Sequence, residues 1–108
     1  MDDPWSIINS LADKLSSLSS APREQALLGQ ALKAAEESGE LAEAVLGALG
    51  MNPRKGFSHT WEDARAEACD LAVTALIFVA RTGADPRALF EEHLQRLAER
   101  SLTGEAAA

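Results

Sequence analysis

The sequence contains no tyrosine and a single cysteine, Cys69. One thiol cannot form an intrachain disulfide, which excludes the small secreted folds that disulfides stabilise. Cys69 lies in a mostly apolar, helical stretch, so we expect a buried, reduced thiol there. The two histidines, His59 and His93, form no Cys/His cluster with it, and a zinc site is therefore poorly matched.

Positive charge is also scarce, with 10 lysines and arginines against 17 aspartates and glutamates and a formal net charge of −7. Phosphate-rich polymers bind to basic surfaces, so this balance argues against a nucleic-acid polymer as a partner. The longest apolar run, Leu71–Ala80, is shorter than the about 20 residues that a membrane helix needs. The first residues lack the basic and cleavage regions of a signal peptide. We therefore expect a cytoplasmic protein without membrane association.

Alanine and leucine dominate the composition and β-branched residues are few, which favours helices. A length of 108 residues suits one domain with one modest core. Apolar periodicity and start and stop residues predict four helices, from Asp3-Pro4 to about Leu18, from Pro22 to about Leu49, from Thr60 to about Arg81 and from Asp85-Pro86 to about Arg100. We expect one all-α domain over 1–101, an antiparallel four-helix bundle, and a flexible tail over 102–108.

The second predicted helix carries a group of acidic residues in its middle: Glu36, Glu37 and Glu40. Residues three or four positions apart on a helix share a face, so Glu37 and Glu40 project side by side and Glu36 lies one turn from Glu40. Glutamate-rich helix faces are usually just solvated. This group alone therefore does not distinguish a solvated surface from a binding site.

A second acidic pair with the same spacing, Glu67 and Asp70, begins twenty-seven residues after Glu40. Asp70 is the only charged residue between Ala68 and Ala80, and an ionised carboxylate in apolar surroundings is costly unless it is paired or metal-bound. A loop of roughly ten residues allows the second and third helices to pack antiparallel, which brings the two acidic pairs level to within about 4.5 Å. The spacing thus permits a four-carboxylate site between two helices.

Four carboxylates suit a hard divalent cation such as Mg²⁺, which keeps several waters and is completed by substrate phosphates. Mn²⁺ can substitute for it. The di-iron carboxylate bundles are a rival interpretation, but they require Glu-x-x-His motifs. Neither His59 nor His93 lies three residues after a glutamate, so the di-iron interpretation is poorly matched.

Basic and aromatic residues follow the acidic helix in the predicted loop. Arg54 and Lys55 could neutralise and orient a polyphosphate, or could simply reflect the preference for cations at a helix C-terminus. His59 and Trp61 could stack on or hydrogen-bond a nucleotide base, although Trp61 is equally suited to packing. Trp5, near the N-terminus, is expected to pack.

The segments EESGELAEAV and EACDLAVTAL resemble the EExxE and ExxD motifs of the all-α nucleoside triphosphate pyrophosphohydrolases, the MazG-like superfamily. The stretch NPRKGFSHTWEDARAEACD and the later EHLQRLAERS are similar to small single-domain members of actinobacterial type. The resemblance covers roughly Leu27 to Ser101. It implies a four-helix fold of the MazG-like type, completed by homo-oligomerisation.

The resemblance also implies a Mg²⁺-dependent enzyme that cleaves a nucleoside or deoxynucleoside triphosphate between the α and β phosphates, releasing pyrophosphate. The implied metal ligands are Glu37, Glu40, Glu67 and Asp70. Glu36 matches the leading glutamate of the motif, which orients a ligand or acts as base for the attacking water. Residues expected to hold the substrate are Lys33, Arg54 and Lys55 at the phosphates and His59 and Trp61 near the base or sugar.

The resemblance further implies a homodimer, or a tetramer built from dimers, with the apolar sides of the first and fourth helices available for contact. The expected role is housecleaning of the nucleotide pool, with control of dCTP or dUTP as the alternative and with base and sugar preference left open. The alternative is a non-catalytic helical dimer that binds a nucleotide or a partner protein.

Overall fold

The structure, a computed structural model, describes residues 2–102 and contains four α-helices and no strand within that range. The helices are α1 (Pro4–Leu18), α2 (Arg23–Leu49), α3 (Trp61–Arg81) and α4 (Pro86–Leu102). The predicted all-α fold with four helices is therefore confirmed. One isolated bridge pairs Asn52 with Gly56 in the loop between α2 and α3.

α1 and α3 start where the sequence predicts, because side chains bind the free N–H groups of their first turns. The Asp3 carboxylate accepts hydrogen bonds from the N–H groups of Trp5 and Ser6 at 3.1 and 3.2 Å. At the start of α3, Thr60 and Asp63 each accept from the other's backbone N–H, which forms a capping box.

Two predicted boundaries differ from the structure by a residue or two. Pro22 is the N-cap of α2 and not its first helical residue. α4 continues past Arg100 to Leu102, so the first residue of the expected tail is helical. The rest of that tail, 103–108, lies outside the described residues.

α3 is the central helix of the fold. α2 packs along one side of it, α1 packs against another side, and α4 touches α3 and α1 only at a few positions. The apolar core consists of Ile8 and Ala12 of α1 against Ile77 of α3. Trp5 packs against this core and its ring centroid lies 5.9 Å from that of Phe90, which confirms the expected packing role for Trp5.

The apolar run of α3 is less buried than expected. Cys69 and Asp70 are both exposed, and Val73 keeps 39% of its accessible surface. The expectation of a buried Cys69 is therefore wrong in the single chain. The physical reason is that, among residues 2–102, the helices that pack against α3 leave Cys69 uncovered.

Large apolar side chains remain exposed on other helices as well, among them Leu11 of α1 and Leu94 of α4. The radius of gyration is 17.0 Å, whereas a compact domain of 100 residues has about 13 Å. The helices are therefore less tightly packed than those of a typical domain of this length.

Among residues 2–102 no helix combines the length and the apolar character needed to cross a bilayer.

Candidate functional site

The contact between α2 and α3 is polar in its middle. Glu37 is 7% exposed, and the hydroxyl of the buried Thr74 donates a hydrogen bond of 2.5 Å to its carboxylate. Gln30 lies seven residues, about two helical turns, before Glu37 on α2. Its side-chain amide donates a hydrogen bond to the Thr74 carbonyl at 3.1 Å and accepts one from the Arg81 guanidinium at 2.8 Å. These bonds fix the antiparallel register, because advancing along α2 from Gln30 to Glu37 moves the α3 partner back from Arg81 to Thr74.

This register opens a cavity of about 350 Å³ beside Glu37. The residues that line it are Lys33, Glu36, Glu37, Glu40, Asp70, Val73 and Thr74. The structure thus brings four of the five predicted catalytic carboxylates and the predicted phosphate ligand Lys33 to one open cavity. Two helices contribute to it, as the spacing of the acidic pairs predicts.

The fifth carboxylate, Glu67, lies within electrostatic reach of the same group. Partial burial raises the pKa of Glu67 above its ordinary value, and the nearby carboxylate of Glu40 raises it further by charge and by a hydrogen bond. Asp70 and Glu37 add smaller repulsive effects in the same direction. Burial is thus the main cause of the raised pKa of Glu67, and the carboxylates of Glu40, Asp70 and Glu37 lie close enough to contribute.

The donor chemistry of the cavity fits a hard cation. Its acidic side chains offer only carboxylate oxygens, which is the ligand type that Mg²⁺ and Mn²⁺ accept. Within the described part of the chain, no three acidic, histidine or cysteine side chains stand in ligand positions as they are. Binding a cation would require the carboxylates of Glu37, Glu40 and Asp70 to come closer together than they stand.

The other predicted substrate-binding residues do not line this cavity. Lys55 lies 3.4 Å from Glu43, one turn beyond Glu40, and Arg54 is exposed beside the turn that Asn52 forms. His59 packs against Gly47, where an added Cβ would collide with its ring. Trp61 is the first residue of α3 and is 50% exposed. Their assignment to phosphates and base stays a prediction.

Thr74 is a site residue that the sequence reasoning missed. It lies four residues after Asp70, hence on nearly the same face of α3. A lone hydroxyl within the apolar run, one turn from a candidate ligand, was the available signal. Gln30, seven residues before Glu37, was detectable in the same way as a polar residue on the buried side of α2.

No protein-family model, no curated protein and no solved structure matches this chain.

Proposed function

We propose that the cavity between α2 and α3 is the active site of a divalent-cation-dependent nucleoside triphosphate pyrophosphohydrolase. The observation that carries the proposal is the convergence of Glu37, Glu40 and Asp70 on one cavity, with Glu67 beside them. The MazG-like resemblance of the two motifs supports the choice of reaction. The proposed cofactor is Mg²⁺, with Mn²⁺ as a substitute.

In this proposal, the residues that line the cavity have different roles. Thr74 holds one oxygen of Glu37, so the other oxygen can point toward the cavity. Lys33 lines the same space and can neutralise a phosphate. Glu36 lies exposed at the rim, where a carboxylate can accept a proton from water. When bound, the divalent cation would supply Lewis acidity and orientation of the phosphates.

We propose that the protein acts as a homodimer or tetramer in nucleotide-pool housecleaning. The large apolar side chains left exposed on α1 and α4 support self-association. In this proposal Arg54, Lys55, His59 and Trp61 approach the substrate when the loop between α2 and α3 moves or when a second subunit covers the cavity.

The decisive experiment measures pyrophosphate release from a panel of canonical and modified nucleoside and deoxynucleoside triphosphates, with Mg²⁺ and with EDTA. We expect metal-dependent release of pyrophosphate from one or a few substrates. Release of orthophosphate would overturn cleavage between the α and β phosphates. A folded protein that turns over none of them would favour the alternative, a non-catalytic nucleotide- or protein-binding dimer.

Asp70→Asn separates a catalytic from a structural role for the cluster, and Asp13→Asn on the exposed surface of α1 is its matched control. We expect Asp70→Asn to lower activity at least about 100-fold, because loss of a metal ligand removes several kcal/mol of transition-state stabilisation. The helical circular dichroism signal and the metal-free melting temperature should be retained or raised. If Asp70→Asn unfolds the protein, the carboxylate is structural.

A further inference from the structure

The side of α2 that faces away from α3 carries a regular stripe of exposed, uncharged residues. The positions recur at alternating intervals of four and three, and all seven are exposed. They are Leu28, Leu32, Ala35, Gly39, Ala42, Leu46 and Leu49. We call this set the α2 seam. Residues of α2 that are buried, such as Glu37 and Ala44, lie on the opposite side of the helix.

The α2 seam has the properties of a helix–helix contact and not of a solvated face. Alternation of four and three is the apolar repeat of helices that pair side by side. The exposed fractions of its leucines are 60% for Leu28, 61% for Leu32, 46% for Leu46 and 47% for Leu49. None of the seven positions is charged, although the chain carries a net charge of −7.

The order of residues along the α2 seam favours a second copy of this chain as the occupant. It reads Leu-Leu-Ala-Gly-Ala-Leu-Leu, the same in both directions, with Gly39 at the centre. A two-fold interface places the same surface of each chain against itself. In an antiparallel pair centred near Gly39, Leu32 comes level with the partner's Leu46 and Ala35 comes level with the partner's Ala42. A different protein would not require this symmetry.

Gly39 supplies an independent observation. Glycine in the middle of a helix is destabilising relative to alanine. A Cβ added at Gly39 would meet no atom within 4 Å, so nothing in residues 2–102 requires a glycine there. Close approach of a second helix does require small residues, and Gly39 stands between Ala35 and Ala42.

The α2 seam alone supplies about half of the area of a standard stable interface. From Leu28 to Leu49 it runs about 32 Å, and one helix diameter of about 12 Å gives roughly 400 Å² in projection. Stable interfaces bury about 800 Å² per partner. Packed helices lie only 8–10 Å apart, so a dimer covers both edges of the seam as well.

The two edges of the α2 seam differ in charge. One edge consists of the uncharged Ala31, Ser38 and Val45, whereas the other carries Glu36 and Glu43. Antiparallel pairing brings Glu36 toward the partner's Glu43, and Lys55, 3.4 Å from Glu43 in its own chain, offsets part of that repulsion. The association should therefore strengthen as salt screens these charges.

We infer that the α2 seam is a self-association surface, at which two copies of this chain pair with their α2 helices antiparallel about a two-fold axis near Gly39. Antiparallel pairing also aligns the helix dipoles favourably. This inference does not depend on catalysis, and it places one subunit contact on α2, away from the apolar sides of α1 and α4.

Light scattering coupled to gel filtration tests the inference with matched variants. Leu32→Glu and Leu46→Glu should lower the molar mass from that of the oligomer, with helicity retained. Leu94→Glu on α4, where the leucine is 53% exposed, is the comparison variant, which should leave at least the dimer paired through α2. A monomeric wild-type protein, or an oligomer that only Leu94→Glu disrupts, would overturn the inference.

Cross-linking fixes the orientation, in a Cys69→Ser background that removes the exposed native thiol. Gly39→Cys should form an intersubunit disulfide on oxidation, whereas Ala88→Cys, exposed on α4, should not. With a short bismaleimide, a mixture of Leu32→Cys and Leu46→Cys chains should cross-link more than either variant alone. Cross-linking of Leu32→Cys alone would indicate parallel pairing and contradict the inference, as would failure of Gly39→Cys to cross-link.

Discussion

At the scale of single residues, Thr74 holds a buried carboxylate at the edge of a cluster of like charges. The Thr74 hydroxyl donates a hydrogen bond of 2.5 Å to the Glu37 carboxylate, and this bond ties the candidate ligand to α3. Removing a hydrogen bond to a charged group costs about 1.5–3 kcal/mol, because the carboxylate stays buried without its donor. The orientation of the Glu37 carboxylate therefore depends on the hydroxyl of Thr74.

Thr74→Val keeps the shape of the side chain and removes the donor. We expect it to lower stability by about 1.5–3 kcal/mol in chemical denaturation and to weaken Mn²⁺ binding about 10-fold or more, as changes to residues that orient metal ligands do. Thr74→Ser should restore both quantities. Mn²⁺ binding, followed by electron paramagnetic resonance, is the measurement. Equal Mn²⁺ affinity in Thr74→Val and wild type would show that this bond does not position a ligand.

Glu67 gives a pH-dependent prediction. Because its pKa is raised in the folded state, the folded protein binds more protons than the unfolded one between the ordinary glutamate pKa of about 4.3 and the raised value. Metal-free stability should therefore fall as the pH rises through that window. Glu67→Gln should melt higher than wild type at pH 7 without metal, and Mg²⁺ should stabilise wild type but not Glu67→Gln. Melting curves at several pH values, with Mg²⁺ and with EDTA, test both statements, and a higher melting temperature of wild type in EDTA at pH 7 would contradict them.

The grouping of the carboxylates was predictable, whereas the position of the loop residues was not. Glu37, Glu40 and Asp70 follow from helical spacing and an antiparallel turn, which depend on regular geometry alone. Lys55 forms an ion pair with Glu43, and the ring of His59 packs against Gly47. Those contacts depend on the conformation of an irregular loop, which no periodic pattern encodes.

At the scale of helices, α3 is defined by its two ends. The capping box of Thr60 and Asp63 begins it, and the Arg23 guanidinium of α2 donates to the Thr82 carbonyl at its C-terminus, at 2.7 Å. The start of α3 was predictable because a cap is a local pattern. The bond from Arg23 was not, because it joins residues 59 positions apart.

The cap of α3 predicts how acid affects stability. Hydrogen bonds from the backbone and the side chain of Thr60 hold the pKa of Asp63 below its ordinary value, and His59 lowers it further. The stabilisation is fully present above the ordinary aspartate pKa of about 3.9 and is lost as the pH falls through the lower folded-state pKa. Asp63→Asn should therefore lower the melting temperature at pH 7 and differ less from wild type as the pH approaches 3. Glu62→Gln, which changes a neighbouring acid outside the capping box, is the control, and an equal effect of the two variants would exclude the cap as the cause.

At the scale of the whole molecule, large apolar side chains stay exposed on several helices of the part of the chain that the structure describes. Leu11 of α1 and Leu94 of α4 are among them, as are the leucines of the α2 seam. The sequence predicts the apolar side of each helix but not which sides meet within one chain. For this reason α3 was expected to be covered on more sides than it is, and Cys69 was placed in the interior.

Self-association predicts that thermal stability depends on protein concentration. Mass action stabilises a folded oligomer as its concentration rises. We expect the melting temperature of wild type to increase by about a few degrees over a 100-fold range of protein concentration. At one protein concentration, it should be higher in 0.5 M salt than in 0.02 M salt, because salt screens the repulsion between Glu36 and the partner's Glu43. Leu32→Glu should lose most of this dependence. A wild-type melting temperature that is independent of concentration would contradict an oligomer that contributes to stability.

The sparse contacts of α4 have a consequence for local unfolding. The interlocked part of the molecule, from the Ile8–Ile77 contact to the bond between Gln30 and Arg81, ends before Pro86. α4 can therefore detach while α1, α2 and α3, and the cavity between α2 and α3, stay in place, because a segment with few buried contacts opens at a lower free-energy cost than the rest of the fold. In native-state hydrogen exchange, the amides of α4 should exchange before those of α2 and α3.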